Sequence, residues 1–335
     1  MMLPDFYLKQ VLKNWGLNLK KIRSDIPVYG SPERVNLRFI IEEDNQNLYL
    51  LENISFVQQK HKEKIAQLLF NLKQEKLPFI NPYLLNKNNR FLSKVYYNYP
   101  QENVCCRAPR MKSSPLLWQL SPFLKNFPLS RPQYLKDFWR GKQAALFLVK
   151  LKKIKIPNFI SSEKIFSLSS YIQMLVRVIQ KNNLSLYGKI SPFVAYLEKN
   201  FFPKYPLLSN QFCHGDFHPL NILWKEKNIK AIIDWEFAGY KKEGYDVANM
   251  LGCLGSEDLN GLLDGFALGF IQTLQNNGFL SQKAWNILPD YILALRFAWL
   301  SEWLRRNDPE MIEQEIKYMT AFYKNKDKLK KYWKL

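Results

Sequence analysis

The residues best suited to chemistry lie close together in one stretch of the sequence. A turn-prone loop carries His214, Asp216 and Asn221, and two carboxylates, Asp234 and Glu236, follow it. An amide oxygen and a carboxylate are hard ligands that suit Mg²⁺, which takes few protein ligands and fills its shell with water and phosphate oxygens. Asp216 would face such a metal site and would accept a proton from an attacking hydroxyl or orient it. This is the division of labour that phosphoryl transfer requires.

A β-hairpin between the loop and the two carboxylates would bring the metal ligands together. Residues 222–224 and 229–233 are largely apolar runs, and a polar turn at residues 225–228 separates them. This is the pattern of a hairpin. Because a hairpin returns the chain toward its start, we expect Asp234 to lie beside Asn221.

The composition bounds the class of protein. With 335 residues and 47% hydrophobic content, the chain can bury a sizeable core in one large domain or in two lobes. No run approaches the roughly 18 apolar residues that span a bilayer, and the N-terminus lacks the basic-then-apolar layout of a signal peptide. We therefore expect a soluble cytoplasmic protein without a transmembrane segment.

The cysteines and the net charge leave alternatives open. Cys105 and Cys106 are adjacent and could form a vicinal disulfide or a redox switch, although free thiols are the default in a reducing compartment. The formal charge of +20 could mark contact with nucleic acid or an anionic surface, with basic runs at residues 150–155 and 324–334. Lysine is nevertheless spread along the chain among many asparagine and isoleucine residues. A compositional bias of the coding genome would therefore explain the net charge as well as a binding face would.

The first part of the chain has the pattern of a strand-rich lobe. Helices are expected at residues 4–15 and 58–76. Strands are predicted at residues 35–41, 48–54, 83–85, 90–97 and 117–123. A turn that contains Gly30 and Ser31 precedes the first strand, and its backbone N–H groups could lie over nucleotide phosphates, although a single glycine is equally typical of an ordinary turn.

The rest of the chain has mainly helical spacing. Apolar residues at helical intervals predict helices around residues 135–149, 172–178, 192–200, 245–251, 259–270, 288–303 and 312–323. The loop and hairpin described above interrupt this series. The layout is therefore a mixed lobe followed by a larger helical lobe.

Three motifs resemble those of the aminoglycoside phosphotransferase and choline kinase-like family: HGDFHPLN at 214–221, AIIDWE at 231–236 and YDVANM at 245–250. That family has the protein kinase fold. The resemblance implies a bilobal α+β protein, with an antiparallel-sheet nucleotide-binding lobe (1–122) and a larger helical catalytic and substrate-binding lobe (123–335). It also implies ATP- and Mg²⁺-dependent phosphorylation of a hydroxyl on a small metabolite. The Asp-Trp-Glu variant of the second motif is more similar to the choline, ethanolamine and thiamine kinase branch of this family than to its antibiotic-resistance enzymes.

The resemblance implies a role for the polar residues of the first two motifs. Asp216 would be the catalytic carboxylate, and Asn221 and Asp234 would be Mg²⁺ ligands. Glu236 would lie near a second metal, and His214 would brace the loop at residues 214–221, which we call the catalytic loop. A loose phosphoryl-transfer transition state asks mainly for positioning and charge neutralisation, so Asp216 need not be a strong base.

Each of these residues also has a plainer structural explanation. An aspartate at a turn often caps the next element, and a lone histidine usually packs. Asp246, which the resemblance implies is bonded to the loop backbone from the following helix, could simply cap that helix. The presence of all of them at these spacings favours the catalytic interpretation.

The main departure from the family lies at Glu52. The family's third strand normally carries a lysine that holds the α- and β-phosphates of the nucleotide, and aligning Leu48–Ile54 with that strand puts Glu52 at its position. A carboxylate cannot neutralise phosphate. Arg38 on the preceding strand could substitute, as could a helix lysine at position 60, 62 or 64. A swapped pair of Glu52 with Lys64 is a specific form of this hypothesis.

Three functions follow as alternatives. The first is a small-molecule kinase, whose substrate would sit near Trp299, Glu302, Trp303 and Arg305. There an aromatic and acidic wall could hold a cationic group, although core packing would also explain the tryptophans. The second is a kinase-like binding or structural protein without turnover, because Glu52 replaces the lysine that would bind the nucleotide phosphates. The third is nucleic-acid binding through a basic face, which would depend steeply on salt.

Overall fold

A computed structural model describes the protein over most of its length. The residues it describes are 3–27, 35–96, 115–161 and 165–335. The turn with Gly30 and Ser31 and the adjacent Cys105 and Cys106 lie outside these residues, so their predicted roles stay predictions. Over the described ranges, every helix is too short or too polar to cross a membrane.

The chain divides into two compact units. The N-terminal unit comprises Met1–Lys76 and Ile80–Lys125, and the C-terminal unit comprises Leu77–Phe79 and Asn126–Leu335. The elements described in the N-terminal unit are α1 (Asp5–Leu12), β1 (Leu19–Ile22), β2 (Leu37–Glu43), β3 (Leu48–Ile54), α2 (Gln59–Gln74), β4 (Leu92–Tyr96) and β5 (Pro115–Pro122). The strands form an antiparallel sheet in the order β1-β2-β3-β5-β4.

The two faces of this sheet differ, because side chains alternate along each strand. One face packs on α1, where Tyr7 and Trp118 belong to the same buried core and the Trp118 indole N–H donates to the Tyr7 hydroxyl at 3.1 Å. A polar row crosses the other face. Arg38 of β2 lies opposite Glu52 of β3, and Glu52 lies opposite Gln119 of β5.

The strand predicted at residues 83–85 is wrong, whereas the other four predicted strands of this unit are confirmed, the one at 48–54 with its predicted ends and the other three with shifted ends. The Leu84 N–H donates to the carbonyl of Leu120 at 2.8 Å, as a strand residue would. The Leu84 carbonyl, however, accepts the indole N–H of Trp15 at 3.0 Å. Because a side chain takes this acceptor, no ladder of backbone hydrogen bonds continues along the segment.

The C-terminal unit is mainly helical. Its described elements are α3 (Phe138–Lys153), α4 (Asn158–Ser161), α5 (Leu168–Asn182), α6 (Leu184–Asn200), β6 (Asn210–Cys213), β7 (Ile222–Lys225), β8 (Asn228–Ile232), β9 (Gly239–Lys242), α7 (Tyr245–Glu257), α8 (Gly265–Asn276), α9 (Gln282–Asn286), α10 (Leu288–Arg305) and α11 (Pro309–Tyr332). Strand β6 pairs with β9, and β7 pairs with β8. Helices α3 and α8 approach closely because Gly141 faces the backbone of Phe266 and Gly269 faces that of Phe138, where a Cβ would not fit.

Helix α6 begins well before the position predicted for it. The sequence predicted a helix from about Pro192 to Asn200. The helix instead starts at Leu184, after Asn183, whose side chain accepts a hydrogen bond from the N–H of Leu186 at 2.9 Å. Inside the helix Pro192 cannot donate to the carbonyl of Gly188, and the hydroxyl of Ser191 donates to that carbonyl instead at 3.2 Å.

Candidate active site

The predicted hairpin returns the chain to the loop before it. Strands β7 and β8 pair from Ile222 opposite Ile232 outward, and the Ile233 N–H donates to the carbonyl of Asn221 at 3.0 Å. Asp234 follows in the left-handed region with φ 61°, a conformation that aspartate tolerates better than most residues. The backbone of Asp234 therefore returns beside that of Asn221, as the sequence predicted.

His214 is a buried brace of the catalytic loop. Its Nδ1 accepts the N–H of Asp216 at 3.2 Å, and its Nε2 lies 3.0 Å from the carbonyl of Ile233. These two bonds require a neutral ring with the proton on Nε2. Burial lowers the pKa of His214 to about 4, although the Asp216 carboxylate acts to raise it. The ring also packs edge-on against Trp235 at 4.5 Å between centroids.

Asp246 holds the start of the loop from helix α7. Its two carboxylate oxygens accept the N–H groups of His214 and Gly215 at 2.8 and 2.9 Å. The hydrogen bond that the motif resemblance implied is therefore confirmed. Burial raises the pKa of Asp246 to about 6, whereas the two backbone donors and the nearby Lys241 act to lower it.

Gly215 and Lys241 join the catalytic loop to the loop that carries Asp234. Gly215 has φ +86°, and a Cβ at this position would collide with the carbonyl of Phe237. The same carbonyl accepts the ammonium group of Lys241 at 2.5 Å. Lys241 is a buried residue of β9, and its role could not be predicted, because one lysine in so basic a chain gives no signal.

Asp216 is oriented by Asn221. The Asn221 Nδ2 donates to the Asp216 carbonyl at 2.9 Å and to its Oδ2 at 3.1 Å. The other carboxylate oxygen of Asp216, Oδ1, lies 3.6 Å from the Nε2 of His218. Asp216 keeps 19% of its side chain exposed, so the carboxylate is fixed and still accessible.

The donor atoms around Asn221 suit Mg²⁺. Both of its side-chain hydrogen bonds use Nδ2, so the amide oxygen, a hard donor atom, takes part in neither of them. Among the residues described, no three His, Cys, Asp or Glu side chains converge on one point. Mg²⁺ is usually held by one or two carboxylates together with phosphate oxygens rather than by a cage of protein groups. Glu236 is half-buried, and its place near a second metal stays a prediction.

A cavity of about 380 Å³ lies beside the catalytic loop within the C-terminal unit. His218 and its two neighbours in the loop form one wall, and Trp299 and Trp303 of α10 form another. Side chains from α7, from α11 and from the segment before α3 complete the lining. Because His218 contacts Asp216 and lines the cavity, the cavity begins next to the carboxylate of Asp216.

The substrate wall predicted near Trp299, Glu302, Trp303 and Arg305 is confirmed only in its aromatic part. Trp299 and Trp303 line the cavity, but Glu302 and Arg305 are not among its lining residues. Glu302 instead pairs with Arg305 at 2.6 Å and with Arg306 at 2.7 Å on the exposed side of α10. The acidic part of the predicted wall is therefore wrong, because Glu302 points away from the aromatic face.

In the N-terminal unit, Glu52 is buried and paired with Arg38. The Arg38 Nε donates to Glu52 Oε1 at 2.8 Å, and the Gln119 amide donates to Glu52 Oε2 at 2.6 Å. Glu52 is 5% exposed, whereas Arg38 keeps 21% of its side chain exposed. On the helix, Lys62 is buried and Lys64 half-buried, and the pairing of Glu52 with Lys64 stays a prediction.

Comparison with known families supports the resemblance seen in the motifs. Residues 132–278 match the sequence model of the phosphotransferase enzyme family, APH. This match spans the catalytic loop, the hairpin and helix α7. A search of curated protein sequences found no match to the chain.

Solved structures of antibiotic phosphotransferases share the fold. The complex of APH(2")-IIia with GDP and kanamycin is 15% identical, with a TM-score of 0.62, over 96% of this chain and 99% of that one. Spectinomycin phosphotransferase APH(9)-Ia with ADP and spectinomycin is 14% identical, with a TM-score of 0.61, over 96% and 95%. Amicoumacin kinase hAmiN with AMP-PNP, Ca²⁺ and its antibiotic is 10% identical, with a TM-score of 0.63, over 98% and 94%. The predicted α+β, protein kinase-like fold is therefore confirmed.

Proposed function

We propose that this protein is an ATP- and Mg²⁺-dependent kinase that phosphorylates a hydroxyl group of a small molecule. The observation that carries the proposal is the clamp of Asp216 by Asn221, at 2.9 and 3.1 Å, beside a cavity that His218 lines. An alcohol bound in this cavity would be able to reach a carboxylate that is oriented and still accessible. The match of the chain to the phosphotransferase family supports the same reaction class.

Asp216 would act on the acceptor alcohol. In the reaction, the alcohol oxygen forms a bond to the γ-phosphorus while the bond from that phosphorus to the bridging oxygen breaks, and ADP leaves. The hydroxyl proton passes to the carboxylate of Asp216. Because the transition state is loose, the main contribution of Asp216 is to aim the hydroxyl.

Asn221 and Asp234 would hold the metal through the amide oxygen and the carboxylate. Mg²⁺ supplies neutralisation of phosphate charge when it is bound. Asp246, His214 and Lys241 would not touch the reactants. Their hydrogen bonds fix the two loops from which Asp216 and Asp234 project.

Arg38 would supply the cation that the lysine provides elsewhere in the family. Glu52 orients its guanidinium through Nε, and the terminal nitrogens would then donate to phosphate oxygens. An arginine suits this task because its planar fork matches phosphate. Gly30 and Ser31 would contribute backbone N–H groups to the same nucleotide.

A second candidate is a kinase-like binding protein without turnover. It is favoured by one observation, the buried carboxylate of Glu52 at the strand position where the family has its phosphate-binding lysine. If the Arg38–Glu52 pair serves only to neutralise that carboxylate, the protein would bind nucleotide weakly. The clamp of Asp216 by Asn221 has no evident use in such a protein, so we rank this candidate second.

The proposed function is tested by nucleotide-dependent thermal stabilisation. We expect MgATP to raise the melting temperature of the wild-type protein and Asp234→Ala to abolish that gain, because a ligand that binds only the folded state stabilises it. Asp44→Ala, at an exposed turn, is the matched control and should keep the gain. MgGTP is measured in parallel, since one structural neighbour holds GDP. A wild-type protein indifferent to both nucleotides would contradict the proposal.

Turnover is tested by screening hydroxyl-bearing metabolites for MgATP consumption. Asp216→Asn serves as the blank, since it keeps the shape of the side chain and loses the carboxylate. We expect consumption in the wild type only. Equal consumption in the blank would remove the role given to Asp216.

A further inference from the structure

The cavity beside the catalytic loop contains two carboxylates, and both are already neutralised. Glu315 of α11 accepts two hydrogen bonds from Arg296 of α10, at 2.5 and 2.6 Å, and both side chains are less than 5% exposed. Glu257 of α7 accepts the Nε of Arg131 at 2.9 Å and the hydroxyl of Tyr134 at 2.6 Å. Two arginines therefore match two glutamates, and neither carboxylate is left for a cationic ligand.

The aromatic faces in the cavity are also engaged by cations of the protein itself. The guanidinium of Arg296 lies 5.5 Å from the centroid of Trp299 and 5.0 Å from that of Tyr318. The guanidinium of Arg306 lies 5.5 Å from the centroid of Trp303. A cage for an ammonium group needs faces that are free to accept it. These three rings instead hold arginine side chains in place.

The rest of the lining adds no further carboxylate and is mainly apolar. Pro219 and Leu220 of the catalytic loop, Cys253 of α7 and Met311 of α11 contribute to it, and beside His218 the polar groups are the uncharged side chains of Ser256 and Gln314. A volume of about 380 Å³ lies near the lower end of the roughly 300–1,000 Å³ that small-molecule sites occupy. An ammonium group in such a cavity would lose its hydration and gain no counter-charge.

We propose that the alcohol phosphorylated by this protein is uncharged and carries an apolar body, and that the cavity excludes amines and quaternary ammonium compounds. The inference rests on the proposed function, because it takes this cavity as the acceptor site. It separates the protein from phosphotransferases whose acceptors are polycationic. The net charge of +20 acts in the same direction, since it repels cations at long range.

The test uses pairs of alcohols with the same shape and different charge. The first pair is 3,3-dimethylbutan-1-ol and choline, in which a quaternary carbon replaces a quaternary nitrogen. The second pair is 4-tert-butylbenzyl alcohol and 4-(trimethylammonio)benzyl alcohol. Binding to the full chain is measured by calorimetry and by ligand-observed NMR, without nucleotide. We expect each neutral member to bind roughly tenfold or more tightly than its cationic partner.

Two variants test whether the preference for neutral over cationic alcohols arises in the cavity. Arg131→Gln removes the charge that neutralises Glu257, so it should improve binding of the cationic probes relative to the neutral ones. Arg305→Gln removes an arginine of α10 that does not line the cavity, and it should leave the ratio unchanged. Both variants keep the aromatic rings, so the comparison depends on charge.

Equal or tighter binding of the cationic member in either pair would overturn the inference. Failure of all four probes to bind up to their solubility limits would overturn it as well, since an apolar cavity of this size should admit them. Failure of the proposed function gives a different result. In that case MgATP would not stabilise the wild type, whatever the probes do.

Discussion

Asn221 holds Asp216 with a single amide nitrogen, which donates to the backbone carbonyl at 2.9 Å and to Oδ2 at 3.1 Å. The two residues are separated by five positions and belong to the same loop. One side chain therefore orients the Asp216 carboxylate with its nitrogen, and in the proposed mechanism its oxygen would bind the metal. This arrangement couples the hydroxyl end of the proposed reaction to the metal end.

The first prediction concerns this pair. Asn221→Asp places a carboxylate where an amide donates, so it repels Asp216. We expect MgATP consumption with an acceptor alcohol, measured as ADP formed, to fall at least about 100-fold. Asn228→Asp, at the exposed start of the second strand of the same hairpin, is the control for the added charge and should be close to wild type. Unchanged ADP formation in Asn221→Asp would show that the amide has no such role.

A second prediction concerns the nucleotide-binding cation. Arg38→Met should weaken MgATP binding about tenfold or more, because a hydrogen bond to a charged group contributes about 1.5–3 kcal/mol. Arg90→Met, at an exposed position of the same unit, should not weaken it. The affinity is measured by titration calorimetry in the presence of Mg²⁺.

Lys64 provides the contrasting case to Arg38. Lys64→Ala should keep full nucleotide affinity, because Arg38 already occupies one oxygen of Glu52. Loss of affinity in Lys64→Ala with none in Arg38→Met would restore the swapped pair with Lys64 and remove the role of Arg38. The same calorimetric titration distinguishes the two outcomes.

A third prediction uses the opposite pKa shifts of His214 and Asp246. The unfolded chain protonates His214 near pH 6.5, whereas the folded protein does so only near pH 4. His214 therefore contributes stability above pH 6.5 that is lost as the pH falls toward 4. Asp246 acts in reverse, because the folded protein takes up its proton near pH 6 and the unfolded chain near pH 3.8. Its contribution is present below pH 3.8 and is lost as the pH rises through 6.

The two contributions should nearly cancel between pH 4 and 6.5 in the wild type. The destabilisation caused by His214→Gln should be largest at pH 7 and shrink by on the order of 3 kcal/mol by pH 4. The destabilisation caused by Asp246→Asn should grow as the pH falls over the same interval. Urea unfolding at several pH values without added metal measures both. Parallel pH dependences in the two variants would contradict the assignment.

A fourth prediction concerns the buried pair of Arg296 and Glu315. Glu315→Gln leaves a buried guanidinium without its counter-charge, which should lower the free energy of unfolding by about 3–5 kcal/mol. Replacing both residues by methionine should cost less, since no charge is then left unpaired. The comparison is made by urea unfolding. A double variant less stable than Glu315→Gln would show that the pair itself is strongly stabilising.

The sequence predicted the parts of the site that depend on local spacing. The loop from His214 to Asn221 and the return of Asp234 follow from one short hairpin, so pattern and turn chemistry were enough. The start of α6 at Leu184 was missed because the predicted helix began only at Pro192, whereas the structure accommodates this proline inside the helix, where Ser191 donates to the carbonyl of Gly188.

Contacts between distant parts of the chain could not be predicted. Arg131 and Glu257 are separated by 126 positions, and their meeting depends on how α7 packs beside the segment before α3. Lys241 could not be predicted either, although its carbonyl partner Phe237 is only four positions away, because that contact depends on the conformation of the turn between Asp234 and β9. The spacing of residues in the sequence does not indicate which carboxylates of the cavity are paired with arginines.

The clamp of Arg296 among Trp299, Tyr318 and Glu315 has a further consequence for how a ligand would be received. Two hydrogen bonds to Glu315 and contacts with the rings of Trp299 and Tyr318 already hold the Arg296 side chain, so this cluster has little conformational entropy left to lose when a ligand binds. A preorganised wall of this kind accommodates few ligand shapes. The protein should therefore bind rigid alcohols that already fit the cavity more tightly than flexible alcohols, which must lose conformational entropy to adopt a fitting shape.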